Sequence, residues 1–447
     1  MHLHSGLFLF QRVLLSPFGC RRAWSDPFDN AGMSGSLVSM QLDLFASVLD
    51  TYLHGAPMSN DALYGHLTQR GALLPGDLHE KRPIGHAAQM HSPAKRRVRW
   101  IQQTLRSMGL IERIPEHRGV WRATPKAKGE LTAASPKVVM LGFHTDLGIA
   151  VWGDATQVLS RIDQQVSLFI ASPPYPLREP RAYGNPSAEQ YVDFICSVLE
   201  PVVKTLAQGG VVALNVSNDI FVEGSPERST YREEMVLALK KRLGLSLMDT
   251  LIWHNPSKPP GPMQWASKHR MQLGVSYEPI YYFTNDPMHC RADNRRVLQP
   301  HTKAHLRLME RGGEARTASN ADGAYRINPG SYGRATAGRI QRNILSISHN
   351  CTSQRALRQT TDALGLPRHG AVMPLKLARL LVEFFCPPGE LVVDPFAGSF
   401  TTARAAEDSG RRWICGDRHL EYVLVGKQRF APVPDSVPDS VHASLAA

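Results

Sequence analysis

The sequence predicts an α/β protein in which a mixed, mostly parallel sheet is covered by helices on both faces, preceded by a smaller helical unit. Two observations lead there. Short apolar runs recur at Gly148–Trp152, Val166–Ala171, Gly210–Val216, Asp249–Trp253, Pro279–Phe283, Leu391–Val393 and Trp413–Cys415. Amphipathic stretches such as Ala188–Leu206 and Glu233–Leu243 lie between several of them. Apolar strands alternating with such helices imply a sheet buried on both sides.

Taken in order, residues 1–38 show no such patterning. Gly6–Phe10 followed by Gln11–Leu15 hints at a signal peptide, but Arg12 interrupts the apolar stretch and no small-residue cleavage site follows. They are read as a disordered leader, or as a start placed upstream of Met33 or Met40. Gln41–Leu53 has apolar residues at helical spacing. Ser59 caps a second helical stretch to Gln69, which Gly71 ends. Ser92-Pro93 opens a third helix reaching Gly109, and two β-like pieces follow at Leu110–Arg113 and Gly119–Thr124. Three helices and a hairpin, with a basic third helix, read as a winged helix over residues 39–133. Lys95, Arg96, Arg97 and Arg99 are its candidate phosphate contacts. Residues 132–137 read as a linker, so that a chain beginning near Ala134 is expected to fold alone.

The net charge of +12 favours an acidic partner, with nucleic acid first among candidates. The charge is unevenly spread. Residues 287–368 carry 14 basic against 5 acidic residues, and residues 1–135 carry 16 against 10. In the first of these blocks periodicity fails and Gly, Asn, Arg and Ser dominate, which reads as an irregular basic insert with Arg295 and Arg296 among its DNA contacts. The six cysteines form no C-x-x-C pair and the histidines no ligand spacing, so no metal and no disulfide framework are expected. The scattered cysteines and the absence of a long apolar run fit a cytoplasmic protein.

Two segments carry chemistry. Asp394-Pro395-Phe396-Ala397-Gly398-Ser399-Phe400-Thr401 joins a buried strand to a helix through a glycine-bearing turn. In a doubly wound sheet, ligands bind at the carboxyl ends of strands, where such a turn lets backbone approach them. The helix N-terminus favours a carboxylate. The next strand ends at Asp417, placed to accept from ribose hydroxyls as in dinucleotide folds. The other segment, Ser172-Pro173-Pro174-Tyr175, closes an apolar strand. Its rigid proline pair can aim the Ser172 hydroxyl and backbone carbonyls at one point, and Tyr175 offers a face for stacking a base.

From Lys137 to about Phe430 this set resembles the β-class N(4)-cytosine DNA methyltransferases of restriction–modification systems, of the PvuII modification-methylase type. The catalytic tetrapeptide beginning in Ser stands first and the cofactor loop last, the permuted order of that group. Trp152-Gly153-Asp154-Ala155 is similar to the element before the catalytic strand. So are Ile252–Pro260 with Trp265 and Arg270, Arg339–Leu345 and His369–Lys376 to later segments. The N-terminal unit resembles that of Mrr-type restriction endonucleases. The resemblance implies a Rossmann-like methyltransferase fold using S-adenosylmethionine. Asp154, Asp394, Phe396, Gly398, Ser399, Thr401 and Asp417 would hold the cofactor, with Asp154 meeting its adenine. Lys258 and Arg270 would contact DNA. The domains implied are 134–286 for the catalytic half, 287–368 for target recognition, 369–430 for the cofactor half and 431–447 for a disordered tail. A cognate restriction endonuclease acting separately would be a partner. The chain departs from the pattern at Phe400, where Gly or Asn is common, at Gly370, and at Val372-Met373.

Two rivals remain at this stage. The same fold acts on the N(6) amine of adenine, more often with Asp in place of Ser172. A non-catalytic DNA-binding regulator would keep the fold and lose cofactor binding. A C(5)-cytosine enzyme needs a nucleophilic thiol on a Pro-Cys dipeptide, which the chain lacks.

Overall fold

The computed structural model describes residues 36–430 apart from 85–87, 129, 130, 137 and 180. The expected leader up to residue 35 and the tail from 431 lie outside the described residues. The chain opens with helix α1 (Ser36–His54), strand β1 (Met58–Ser59) and helix α2 (Asn60–Gln69). Ser59 caps α2 by accepting from the Ala62 amide at 3.3 Å. After one short turn of helix and a small two-stranded ribbon comes α3 (Pro93–Ser107), capped by Ser92, with proline in its first turn. Strands β2 (Ile111–Arg113) and β3 (Val120–Ala123) pair antiparallel, and β1 joins the outer side of β3.

The main body is one nine-stranded sheet. In chain order its strands are β4 (Val139–His144), β5 (Gly148–Gly153), β6 (Val166–Ala171), β7 (Leu206–Asn215), β8 (Ser246–His254), β9 (Tyr277–Thr284), β10 (Ile344–Ser346), β11 (Leu391–Asp394) and β12 (Arg412–Asp417). Across the sheet they run β10-β8-β9-β7-β6-β11-β12-β5-β4. The central five are parallel, while β9 and β4 run antiparallel to their neighbours. Strands β6 and β11, distant in sequence, lie side by side, with Val392 opposite Leu168. That adjacency puts the two chemistry-bearing turns at the same edge, the carboxyl edge, of a parallel sheet.

Successive strand residues point to opposite faces, so each strand feeds two cores. On one face Val139, Val151, Phe169, Leu214 and Val393 pack with helices α4 (Ala155–Leu159), α5 (Ala188–Thr205) and α6 (Tyr231–Leu243). Helices α7 (Lys303–Glu310) and α8 (Thr352–Ala363) follow in the insert. On the other face Trp152, Leu168, Val392 and Trp413 pack with α9 (Leu375–Phe385), α10 (Thr401–Asp408) and α11 (Leu420–Lys427).

Three sequence expectations need correction. The insert 287–368 is not irregular throughout: it holds α7, α8, a hairpin (Ala318–Asn320 with Tyr325–Ile327) and β10, a strand of the main sheet. These elements are short and largely exposed, so they leave little apolar periodicity to read. The stretch read as a linker is not free at Thr132 and Ala134. Leu420 donates to the Thr132 carbonyl, Ala134 to the Arg418 carbonyl, and Thr132 to the Glu421 carboxylate. Nor does the N-terminal unit stand apart from the main sheet. Phe45 of α1 packs on Trp152 of β5 at 5.0 Å, and Asp43 pairs with Lys427 of α11 at 2.7 Å. The glycine at 142 is needed because a Cβ there would sit 2.5 Å from Val423, with Leu42 of α1 on the same side.

Candidate active site

A cavity of about 570 Å³ opens at the carboxyl edge between β6 and β11, a volume suited to a nucleotide-sized ligand. Ser172, Pro173, Pro174 and Tyr175 line it together with Asp154, Asp394, Phe396, Gly398, Ser399, Thr401 and Asp417. Every candidate catalytic and cofactor-binding residue therefore lines a single cavity. Tyr183, Asn185, Phe194, His419 and Tyr422 line it too, none of them singled out by motif reasoning, as do His369 and Met373 of the segment that resembled the family without being given a role.

On the β11 side the loop is fixed by its own carboxylates. Asp417 accepts from the Gly398 amide at 2.9 Å and the His419 amide at 2.8 Å. Asp394 accepts from the Phe396 amide at 3.0 Å and the Thr402 hydroxyl at 2.6 Å. Burial raises the Asp394 carboxyl to about 7 despite those donors. Arg429, from just beyond α11, braces the loop by donating to the Ser399 carbonyl and to the hydroxyls of Ser399 and Thr401. Its burial lowers that guanidinium to about 10. Gly398 has φ of 51°, and a Cβ there would lie 2.9 Å from the His369 ring. Phe400 also adopts left-handed backbone, at φ 60°, a strained choice for a residue with a side chain. Its ring is fully buried, against Phe143 at 5.4 Å and over Gly426, where a Cβ would clash at 2.3 Å. Aromatic burial offsets the backbone strain, which explains the departure at this position. His369 stacks on Tyr183 at 5.4 Å and meets Tyr422 edge-on at 4.6 Å. Burial lowers its imidazole to about 4, so it is neutral near pH 7.

On the β6 side the tetrapeptide meets three residues that the motif did not contain or that had been given another task. The Tyr175 hydroxyl lies 2.9 Å from Ser172 Oγ, 3.2 Å from Glu278 Oε2 and 3.0 Å from Asn215 Nδ2. Asn215 Nδ2 also donates to Glu278 at 3.1 Å, and Lys258 pairs with the other Glu278 oxygen at 3.3 Å. The donor inventory fixes the direction of this chain. An ionised Glu278 only accepts, so Tyr175 must donate to it. Tyr175 then accepts from Asn215 and from Ser172. The Ser172 proton is thereby committed, which leaves its oxygen lone pairs as an acceptor at the cavity wall. A sequence signal for these partners existed: Asn215 and Glu278 are polar positions beside the apolar runs of β7 and β9.

The candidate DNA contacts are scattered over several surfaces. Arg96 and Arg99 are exposed on α3, while Lys95 is half-buried with its ammonium 5.4 Å over the Tyr64 ring. Arg97 is half-buried, and its Nε is shielded from solvent. Arg270 is exposed, whereas Lys258 is held by Glu278 in the site. Arg295 is exposed and grips Asp293 at 2.7 Å. Arg296 is a correction. Its guanidinium turns inward, donates to the Phe384 carbonyl at 2.7 Å and is lowered by burial, so it holds the insert to α9 and is not free for a phosphate. Among the described residues no group of His, Cys, Asp and Glu could hold a metal ion, and no helix is long and apolar enough to cross a membrane.

With this geometry established, the family model for DNA methylases acting on N6 and N4 amines matches residues 166–428, from β6 through α11. The chain belongs to the N6/N4 DNA methylase family. Within it, type II methyltransferase M.PvuII of Proteus hauseri is 29% identical over 289 residues, which cover 64% of this chain and 85% of that protein. DNA adenine methyltransferase YhdJ of Escherichia coli (strain K12) is 25% identical over 293 residues, 64% of this chain and 84% of its own. The solved PvuII DNA methyltransferase (cytosine-N4-specific) superposes with a TM-score of 0.50 at 24% identity, covering 67% of this chain and 92% of that one. That likeness is one of fold. The α/β methylase architecture expected from the sequence is the one observed, and residues 36–165 lie before the matched segment.

Proposed function

We propose that this DNA methylase transfers a methyl group from S-adenosylmethionine to the N(4) amine of cytosine at a specific site in double-stranded DNA. The observation that carries the reading is Ser172 at the head of the tetrapeptide, facing the same cavity as the Asp394–Thr401 loop. The likeness to type II methyltransferase M.PvuII supports it. YhdJ, an adenine methyltransferase, keeps the N(6) amine as the second reading.

The residues present fit the cofactor. The first-turn amides of α10 lack acceptors within the helix and suit a carboxylate. Asp154 and Asp417 offer carboxylate oxygens for adenine and ribose, and buried Asp394 offers one to a cationic group. When bound, the cofactor supplies an electrophilic methyl. The protein's task is then orientation and charge: the amine lone pair is delocalised into the ring, and its hydrogens need acceptors as the nitrogen pyramidalises. Ser172 Oγ, polarised by the Tyr175–Glu278 chain, and the adjacent backbone carbonyls supply them. A base buried in a duplex must be flipped out to reach this cavity.

Residues 39–133 serve in this reading as a winged helix that adds DNA affinity, and residues 287–368 as the target-recognition segment. Protection from a cognate restriction endonuclease is the biological role that follows, in the cytoplasm. Nucleoside mass spectrometry of DNA from a host expressing the chain tests the chemistry: 4-methylcytosine is expected. Only 6-methyladenine, or only 5-methylcytosine, would overturn the assignment.

A further inference from the structure

Between β8 and β9 the chain leaves the sheet for a long excursion, residues 255–276. It departs from the carboxyl edge immediately beside Glu278 and Lys258, and therefore beside the Ser172–Tyr175 turn. Its base is fastened. The Asn255 amide donates to the Ser276 carbonyl at 2.8 Å and the Val275 amide to Gly261 at 2.7 Å. Gln272 donates to the Pro226 carbonyl at 2.6 Å, and Trp265 packs on His269 at 5.2 Å. Yet this braced segment turns apolar side chains outward. Leu273 is 91% exposed, Met263 63% and Met271 58%. Exposed apolar side chains concentrated in one short, braced segment mark an interaction site. The exposed cations Lys268 and Arg270 lie in the same segment, and Arg270 has left-handed backbone at φ 59°.

We propose that this excursion is a wedge that enters the base stack of the DNA duplex, with Leu273 at its point, and holds open the gap left when the target base moves into the cavity. Apolar side chains flanked by cations suit that partner: the cations meet phosphates while the apolar tip replaces lost stacking. The position fits too, since the segment leaves the sheet at the same edge as the Ser172–Tyr175 turn, with Glu278 at its root bonded to Tyr175. The bracing at Gly261, Gln272 and Val275 supplies a fixed frame for pushing into a stack. The proposal rests on the reading of the cavity as a base-methylating site, and it does not depend on which base is methylated.

The test compares full-length protein with Leu273→Ala and with Met271→Ala/Leu273→Ala on two duplexes carrying the mapped site. In one the target base is paired normally; in the other it faces an abasic nucleotide, so that extrusion is already easy. The variants are expected to lose about tenfold or more in kcat/KM on the paired duplex. Most of that loss should vanish on the abasic partner, with cofactor affinity unchanged throughout. Equal losses on both duplexes, or no loss on either, overturn the wedge. A lysine or arginine effect on DNA affinity without any leucine effect would reduce the excursion to a phosphate contact and also overturn it. Should the mapped base be adenine, the cytosine reading falls while the wedge is still tested at that adenine.

Discussion

Glu278 never touches the proposed substrate position in this geometry, yet it decides which way the hydrogen bonds of the tetrapeptide run. Glu278→Gln keeps the volume but lets an amide N–H face Tyr175, so Ser172 can keep its proton turned toward the cavity. Turnover should fall about 10- to 100-fold, the range for a hydrogen bond to a charged group, with cofactor affinity unchanged. Single-turnover rates and equilibrium cofactor titration check this; equal weakening of both would make Glu278 a general support of the pocket. Asp394 yields a pH prediction. Its folded carboxyl titrates at about 7, against about 3.9 when unfolded. Between those values the folded state binds the extra proton, so Asp394 makes stability decline as pH climbs from about 4 to about 7. His369, lowered to about 4, acts in the opposite sense over about 4 to 6.5. Asp394→Asn removes only the first effect and can still serve Phe396 and Thr402. In the cofactor-free protein its melting temperature should gain on the parent's increasingly between pH 4.5 and 7.5, as calorimetry would show. A pH-independent difference would mean that Asp394 titrates as an ordinary carboxylate. At this scale the tetrapeptide and loop were legible because their residues are contiguous. Glu278 and Asn215 showed only as polar positions beside apolar runs and Arg429 not at all, because each reaches the site from a separate element.

Elements with a strong period were readable, and those relying on pairing with a distant strand were not. Helix α3 is announced by Ser92-Pro93 and its apolar spacing, and its Arg96 and Arg99 are both exposed. Strand β10, only Ile344–Ser346, exists because β8 offers it an open edge, which no local pattern reveals. The same distinction separates two arginine substitutions that look alike in sequence. Arg96→Gln with Arg99→Gln should weaken DNA binding and reduce the logarithmic salt slope by about two, leaving the methylated base unchanged. Arg296→Gln should leave the slope alone and lower thermal stability, because it leaves the Phe384 carbonyl without its guanidinium donor. Binding isotherms across a salt series separate the cases, and a changed slope for Arg296→Gln would restore it to the interface.

For the whole molecule, the order of apolar runs announced a two-faced α/β sheet and the order of motifs the permuted group, while the adjacency of β6 and β11 is seen only in the structure. What composition could not reveal is that the first helix belongs to two bodies at once. A Pro- and Ser-containing stretch at 132–137 looks like a boundary because linkers share that composition. Here, however, its backbone is spent on bonds to residues 418–421, which directly follow Asp417. Trp152, also held by a bond from its indole to the Arg418 carbonyl at 2.9 Å, would lose Phe45 from its face if α1 were removed. Gly142 would face solvent where Leu42 now lies, and Lys427 would lose Asp43. Exposing a large aromatic and its neighbours removes a few kcal/mol of burial, a sizeable part of the margin of any domain. A chain beginning near Ala134 should therefore express poorly or melt well below the full-length protein, and bind cofactor weakly because the Arg418–Glu421 segment is loosened. If the shorter chain proves as stable as the longer one, α1 merely rests on the sheet, and the N-terminal unit is after all a detachable DNA-binding module.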